Sequence, residues 1–235
     1  MAAGTPLRAR LSVAKRTLWP AALATGGIGA GVWTYRRTEG LQPSAPSPGA
    51  VPLKPTYVRY EVDPSRSTLG FSALRFQLDE VRGRFTDFTA AGAVDFTSSS
   101  SPAGWAKGTV AAASVDTALA WRDHHLRGDD FFAVQKYPEM RYCSTEILPL
   151  PQCRSSEFGD CYHNPNCRCF IVKGHAEICG AGGDLHMDVA VWPDADAPAE
   201  FHIKAIGSLD RREFGLAHRV PEWAIAKEVK LNFDL

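Results

Sequence analysis

Residues 115–138 read V-D-T-A-L-A-W-R-D-H-H-L-R-G-D-D-F-F-A-V-Q-K-Y-P, and they interrupt a chain that otherwise alternates in the manner of β-strands. This stretch places a dense block of charge beside paired aromatic residues. Arg122, Asp123 and His125 precede Phe131 and Phe132. Such a block must reconcile polar groups with apolar rings in one place, which favours a rim or a binding site. The Phe pair follows two carboxylates and predicts a short helical turn that serves as a plug or a lid.

Around this block, the chain from residue 56 onward is dominated by strand patterns with a period of two. The arms at 170–179 and 185–192 predict a hairpin around the glycine-rich residues 180–183, and 107–117 predicts one long strand. At least eight strands joined by short turns, without interleaved helices, predict an all-β antiparallel fold. A single sheet of that length must curl or close to protect its edges, so the pattern leaves barrel and sandwich open.

The side of the strands predicted to face inward carries small residues as well as rings. Five small residues belong to this set: Ala73, Gly83, Ala111, Ala113 and Gly174. Any one of them could fit the taper of a barrel. Their number favours a cavity inside the sheet.

The first 55 residues differ in composition from the rest. Residues 1–40 contain an uncharged apolar run at 18–35, long enough to cross a bilayer core and flanked by arginines, which predicts a signal peptide or a membrane anchor. Residues 41–55 are rich in proline and predict an extended linker. The folded unit is therefore expected at 56–235. Four basic residues precede the run and two follow it, which favours an N-terminus inside the cell.

Composition excludes some classes of partner. The chain has 26 basic and 26 acidic residues and no formal net charge. Phosphate binding needs a surplus of Lys and Arg, so we expect no nucleic-acid partner. We also expect no cofactor, no bound metal and no catalytic residue, and the sequence does not indicate an oligomeric state.

Six cysteines are present, and four of them lie within a polar segment at 152–169. The disulfide candidates are Cys143, Cys153, Cys161, Cys167, Cys169 and Cys179. An even number in an exported protein favours disulfides. Two alternatives stay open: free thiols, and a tetrahedral zinc site that uses the loop cysteines and His163, although its spacing departs from the usual Cys-x-x-Cys pattern.

Four segments together carry a resemblance to a known family. They are Y-E-V-D-P-S-R-S-T-L-G-F at 60–71, V-R-G-R-F-T-D-F-T-A-A-G-A-V-D-F at 81–96, the stretch at 114–138, and D-R-R-E-F-G-L at 210–216. The chain resembles the YceI-like family, which are polyisoprenoid-binding proteins of the bacterial cell envelope. The resemblance covers nearly the whole predicted folded unit.

The resemblance implies an antiparallel, eight-stranded, lipocalin-like barrel with a short helical lid, whose cavity holds a long isoprenoid chain. It also implies export to the periplasmic or extracytoplasmic side, which agrees with the N-terminal run. The ligand-binding residues expected on this basis are Leu69, Phe71, Phe85, Val94, Phe96, Arg122, Asp123, His125, Phe131 and Phe132.

Three features depart from the family pattern. Arg75 stands where a His is typical, the Cys-rich loop is inserted, and the N-terminus carries an apolar run that predicts an uncleaved anchor, where many members are simply secreted. Two other functions remain in view. One is an enzyme acting on an isoprenoid lipid, with Asp123 and His125 as acid–base residues. The other is a stress-protective structural protein of the envelope, whose barrel is filled by its own side chains.

Overall fold

The structure, a computed structural model, describes residues 58–95, 104–153, 157–162, 164–194, 197 and 200–235. The predicted anchor at 1–40, the linker at 41–55 and Phe96 lie outside these ranges. None of the helices in the described part of the chain has the length and apolarity that crossing a bilayer requires.

Eleven antiparallel strands form one sheet in the described residues. They are β1 Val58–Glu61, β2 Thr68–Arg75, β3 Asp79–Phe85, β4 Phe88–Val94, β5 Gly104–Ala111, β6 Val115–Asp116, β7 Glu139–Leu150, β8 Arg168–Ile178, β9 Ala181–Pro193, β10 Phe201–Asp210 and β11 Ile225–Asp234. Two short helices are present as well: α1 at Ala120–Arg127 and α2 at Gly159–Tyr162.

The sheet closes on itself as an eight-membered ring. Strands β1 and β2 are one interrupted strand that pairs with β3 and β4, which are also nearly continuous. From there, pairing runs through β5, β7, β8, β9, β10 and β11, and β11 pairs back onto β2. The all-β antiparallel barrel with a helical lid segment is therefore confirmed.

Two local predictions differ from the structure. Residues 107–117 are not one strand, because the chain turns a corner at 112–114, where the Ala112 amide bonds to the Pro138 carbonyl and Ala112 is buried. The turn between β8 and β9 contains only Cys179 and Gly180, both with positive φ. That is the two-residue hairpin turn whose twist matches the strands, so residues 181–183 belong to β9.

The lid helix also begins earlier than predicted. Helix α1 lies at 120–127, and its first residue follows Leu119 without a side-chain cap. Phe131 and Phe132 instead lie in the turns that follow the helix, where the Phe132 amide bonds to the Leu126 carbonyl. A carboxylate-capped helical turn at the Phe pair does not form, because the backbone there folds back onto α1.

The connections define two ends of the barrel. The turn after β2, helix α1 and the connection from β10 to β11 lie at one end, which we call the mouth. The Cys-rich loop and the start of β1 lie at the other end, which we call the base. At the base, Val94, Ile147 and Phe170 pack in a core with exposed fractions of 5% or less.

Candidate functional site: an apolar cavity

A cavity of about 900 Å³ occupies the barrel and is lined mainly by aliphatic and aromatic side chains. This volume lies at the upper end of the roughly 300–1,000 Å³ typical of small-molecule sites. The cavity reaches the mouth, because the exposed residues Phe76, Trp121 and Arg219 line it. Its wall is mainly apolar, and the charged residues Arg75, Asp130 and Arg219 line it near the mouth, which suits a long apolar molecule that enters by one end.

Most of the predicted ligand-binding residues lie on this cavity. Seven of the ten line it: Leu69, Phe71, Phe85, Arg122, His125, Phe131 and Phe132. Val94 does not, because it packs into the base core at 5% exposure. Asp123 does not line it either, and Phe96 lies outside the described residues.

The opposite wall was missing from the sequence-based site. It consists of inward residues of β8 to β11: Val172, Ala176, Ile178, Leu185, Met187, Val189, Ile203, Ala205, Leu209, Val229, Leu231 and Phe233. Their period-two alternation is visible in the sequence and could have identified them. Trp121 and Phe76 were also missed, and only the tertiary fold brings these two to the mouth.

Two of the five small residues predicted to face inward provide room for aromatic rings and leave no empty space. A Cβ at Gly83 would lie 2.4 Å from the Phe71 ring, and one at Gly174 would lie 2.4 Å from the Tyr142 ring. Ala73 lines the cavity, whereas Ala111 does not and Ala113 is exposed in the corner turn. The cavity is therefore formed by the radius of the barrel more than by the glycines.

Two tyrosines stand on the inner part of the cavity wall. Tyr60 lines both this cavity and a small void at the base, which places it at the floor. Burial raises the pKa of Tyr60 to about 12, and burial also raises the pKa of Tyr142. The Tyr142 hydroxyl is 3.5 Å from the Val172 and Leu185 carbonyl oxygens. Both phenols stay neutral and bring no charge to the interior.

The lid is fixed by a buried polar cluster around Thr117. The Thr117 amide and hydroxyl donate to Asp123 Oδ1 at 2.8 Å and 2.5 Å. Arg122 donates from Nε to the Thr117 hydroxyl and from Nη2 to the Thr117 carbonyl, both at 2.8 Å. Arg127 donates to the Ala113 and Val115 carbonyls. These bonds clamp α1 to the end of the barrel.

Asp123 and His125 do not form an acid–base pair in the described structure. Asp123 is 8% exposed and its carboxylate accepts from Thr117. The His125 ring contacts the Phe131 ring edge-on, with the centroids 5.0 Å apart. Among the described residues no hydrogen bond joins the Asp123 carboxylate to the His125 imidazole, so the geometry of a catalytic dyad is not assembled.

Arg211 is a buried cation beside the cavity that is held by backbone oxygens. It is 2% exposed and donates to five carbonyls, those of Leu216, Ala217, Val220, Ile225 and Ala226. Burial lowers its pKa. All of these acceptors are backbone carbonyls between residues 216 and 226, so Arg211 fixes the shape of the connection at the mouth.

The Cys-rich loop folds over the outer face of the barrel at the base, where Phe158 is 1% exposed against Ala190. Cys153 lies against Cys169 and Cys161 against Cys167, with Cα atoms 5.3 Å and 5.4 Å apart, which is the spacing of disulfide partners. The four sulfurs lie within 4.8 Å of one another, so the same residues could also hold a metal ion. Strands β7 and β8 are neighbours, but Cys143 lies opposite His175, four residues before Cys179, so Cys143 and Cys179 are not disulfide partners of one another. Burial raises the pKa of the Cys179 thiol to about 11.

The family model of the YceI-like domain matches residues 60–235, which include all of this cavity. The chain belongs to the YceI-like family. Among curated relatives, it is 32% identical over 89 residues to the UPF0312 protein plu2095 of Photorhabdus laumondii, covering 38% of this chain and 45% of that protein. It is 33% identical over 104 residues to a UPF0312 protein of Shewanella denitrificans, covering 42% and 53%. The chain spans about half the length of these relatives.

Three solved structures share the fold. BcnA of Burkholderia cenocepacia aligns with a TM-score of 0.59 at 20% identity, over 73% of this chain and 96% of BcnA. The YCEI protein of Campylobacter jejuni aligns with a TM-score of 0.55 at 24% identity, over 68% and 85%. A polyisoprenoid binding domain from Saccharophagus degradans aligns with a TM-score of 0.50 at 15% identity, over 77% and 97%.

Proposed function

We propose that this YceI-like protein binds a long-chain isoprenoid lipid of the polyprenyl or quinone type, and that it carries or stores the lipid on the extracytoplasmic side of the bacterial cell envelope. The observation that supports this most strongly is the apolar cavity of about 900 Å³ that opens at one end of the barrel. The Saccharophagus degradans domain that shares this fold is a polyisoprenoid binding domain, which is the same class of ligand.

The energetics of such a cavity suit an apolar chain. Removing one methylene-sized group from water is worth about 0.8 kcal/mol, so an isoprene unit of five carbons contributes about 4 kcal/mol before its ordering cost is subtracted. A few units therefore suffice for tight binding without strong polar contacts. An open cavity of this size also favours binding over the alternative of a structural barrel filled by its own side chains.

The proposed test is a titration of the full-length protein with farnesol, geranylgeraniol and solanesol, which differ in the number of isoprene units. We expect affinity to rise with chain length until the cavity is full. Phe71→Asp should abolish binding, because it places an unpaired charge on the apolar wall. Phe71→Leu is the matched control and should bind nearly as well as wild type.

His125→Ala separates this proposal from an enzyme or a receptor for a head group. His125 lies at the mouth and is exposed, so its loss should change affinity only slightly. Affinity that does not depend on chain length, or a decisive loss only in His125→Ala, would contradict the proposal.

A further inference from the structure

The large apolar side chains that the described residues expose all lie at the mouth. They are Leu74, Phe76, Leu78, Leu119, Trp121 and Trp223. They come from three separate parts of the chain: the β2–β3 hairpin, the start of α1, and the β10–β11 connection. Leu78 is 90% exposed, Trp223 64% and Trp121 63%. Exposed apolar residues scattered singly need no explanation, but a set gathered at one end from three segments indicates an interaction site.

Backbone conformation and backbone hydrogen bonds fix the exposed residue Phe76 in the β2–β3 turn. Phe76 and Gln77 occupy the β2–β3 turn with φ of 51° and 59°. Positive φ is uncommon for a residue with a large side chain. The Phe76 ring stacks on Trp223 with the centroids 6.1 Å apart, and the Phe76 amide bonds to the Ala224 carbonyl. Two segments thus share one exposed aromatic pair, which is a fixed feature of the mouth.

The exposed set is continuous with the cavity. Phe76 and Trp121 line the cavity and are also exposed outside it. An apolar chain could therefore pass between the interior and the outer rim without leaving apolar surface. If the ligand is a long isoprenoid, as proposed above, its only abundant source is a bilayer, because such a chain is insoluble in water.

We propose that the mouth docks on the surface of a lipid bilayer and that Leu78 and Trp223 insert into the interface. The biological purpose of docking, which is to collect the lipid, rests on the proposed function. The docking itself rests only on the exposed apolar residues of the mouth. Amphipathic Trp rings favour the interface between membrane and water. The mouth segments 74–79, 117–131 and 211–224 hold six arginines and six acidic residues. Docking therefore depends on apolar insertion and needs no anionic lipid.

The first test uses full-length protein in phosphatidylcholine vesicles with a benzoylphenylalanine photo-crosslinker at single positions. Leu78 and Trp223 report on the mouth, and the exposed Glu61 reports on the base, next to the point where residues 1–57 join the barrel. Docking predicts lipid crosslinks at 78 and 223 at least fivefold above those at 61. Equal crosslinking, or more at 61, is the result for a barrel held only through its N-terminal chain and would overturn the proposal.

The second test separates docking from ligand binding. Leu78 and Trp223 are not among the residues that line the cavity. The double variant Leu78→Ser, Trp223→Ser should extract solanesol from vesicles about tenfold more slowly than wild type, and it should load solanesol from detergent equally well. Leu78→Ile with Trp223→Phe is the matched control and should retain the wild-type rate. Extraction at the wild-type rate by the Ser variant would overturn docking. Failure of the wild-type protein to load from detergent would refute the proposed function, and crosslinking would still decide docking.

Discussion

The clamp between Asp123 and Thr117 gives a quantitative prediction about the lid. Asp123→Ala removes the acceptor of two buried donors, the Thr117 amide and hydroxyl, which lie 2.8 Å and 2.5 Å from Oδ1. Hydrogen bonds to a charged acceptor are worth about 1.5–3 kcal/mol each, and partial relaxation reduces their sum, so we expect a loss of about 3 kcal/mol. For a folded unit of this size, that corresponds to a decrease in Tm of about 6–12 °C.

The assay is thermal unfolding of lipid-free, full-length protein, followed by circular dichroism. Asp123→Asn is the matched control: it keeps an acceptor oxygen but loses the charge, so about half of the decrease is expected. Because Asp123 does not line the cavity, affinity for solanesol well below the Tm should change by less than about threefold. A variant with wild-type Tm and lost affinity would refute this reasoning, because it would place the carboxylate in contact with the ligand.

Three further predictions concern other parts of the chain. Ala205→Phe projects a ring into the cavity, so affinity should stop rising at a shorter prenyl alcohol than in wild type. Ser208→Phe, on the outer face of the same strand, is the control and should leave that chain length unchanged. No change in Ala205→Phe would contradict the assigned wall. Peptide mapping without reductant should recover the pairs Cys153–Cys169 and Cys161–Cys167, and four alkylatable thiols with bound zinc would instead establish a metal site. A reporter that is active only in the cytoplasm, fused after Leu235, should be inactive in cells, and strong activity would exclude export.

Much of the fold follows from local patterns. Period-two alternation predicts most strands and places Leu69, Phe71 and Phe85 on the inner face, where the structure finds them. The corner at 112–114 is not visible in the sequence, because it depends on a tertiary bond from Ala112 to Pro138, beside the last pair of β5 and β7. The start of β9 is set by the two-residue turn at Cys179 and Gly180, which the alternation of side chains does not reveal.

The site is less accessible to sequence reasoning than the fold. A polar residue beside aromatic rings could contact a ligand or could fix the backbone, and the residues alone do not distinguish these roles. Asp123 was expected at the ligand, and the structure directs it at Thr117. The exposed mouth residues Phe76 and Trp223 carry no pattern of their own. Their contact depends on the register between β2 and β11, which is a property of the closed barrel.

The most direct test of the isoprenoid-binding account is native mass spectrometry of the full-length protein purified from its own host, combined with lipid extraction of the same sample. The account predicts one bound lipid per barrel with a long prenyl chain, which is released on unfolding and absent from the Phe71→Asp variant. Protein that carries no lipid, and that takes up no solanesol when it is supplied, would contradict it.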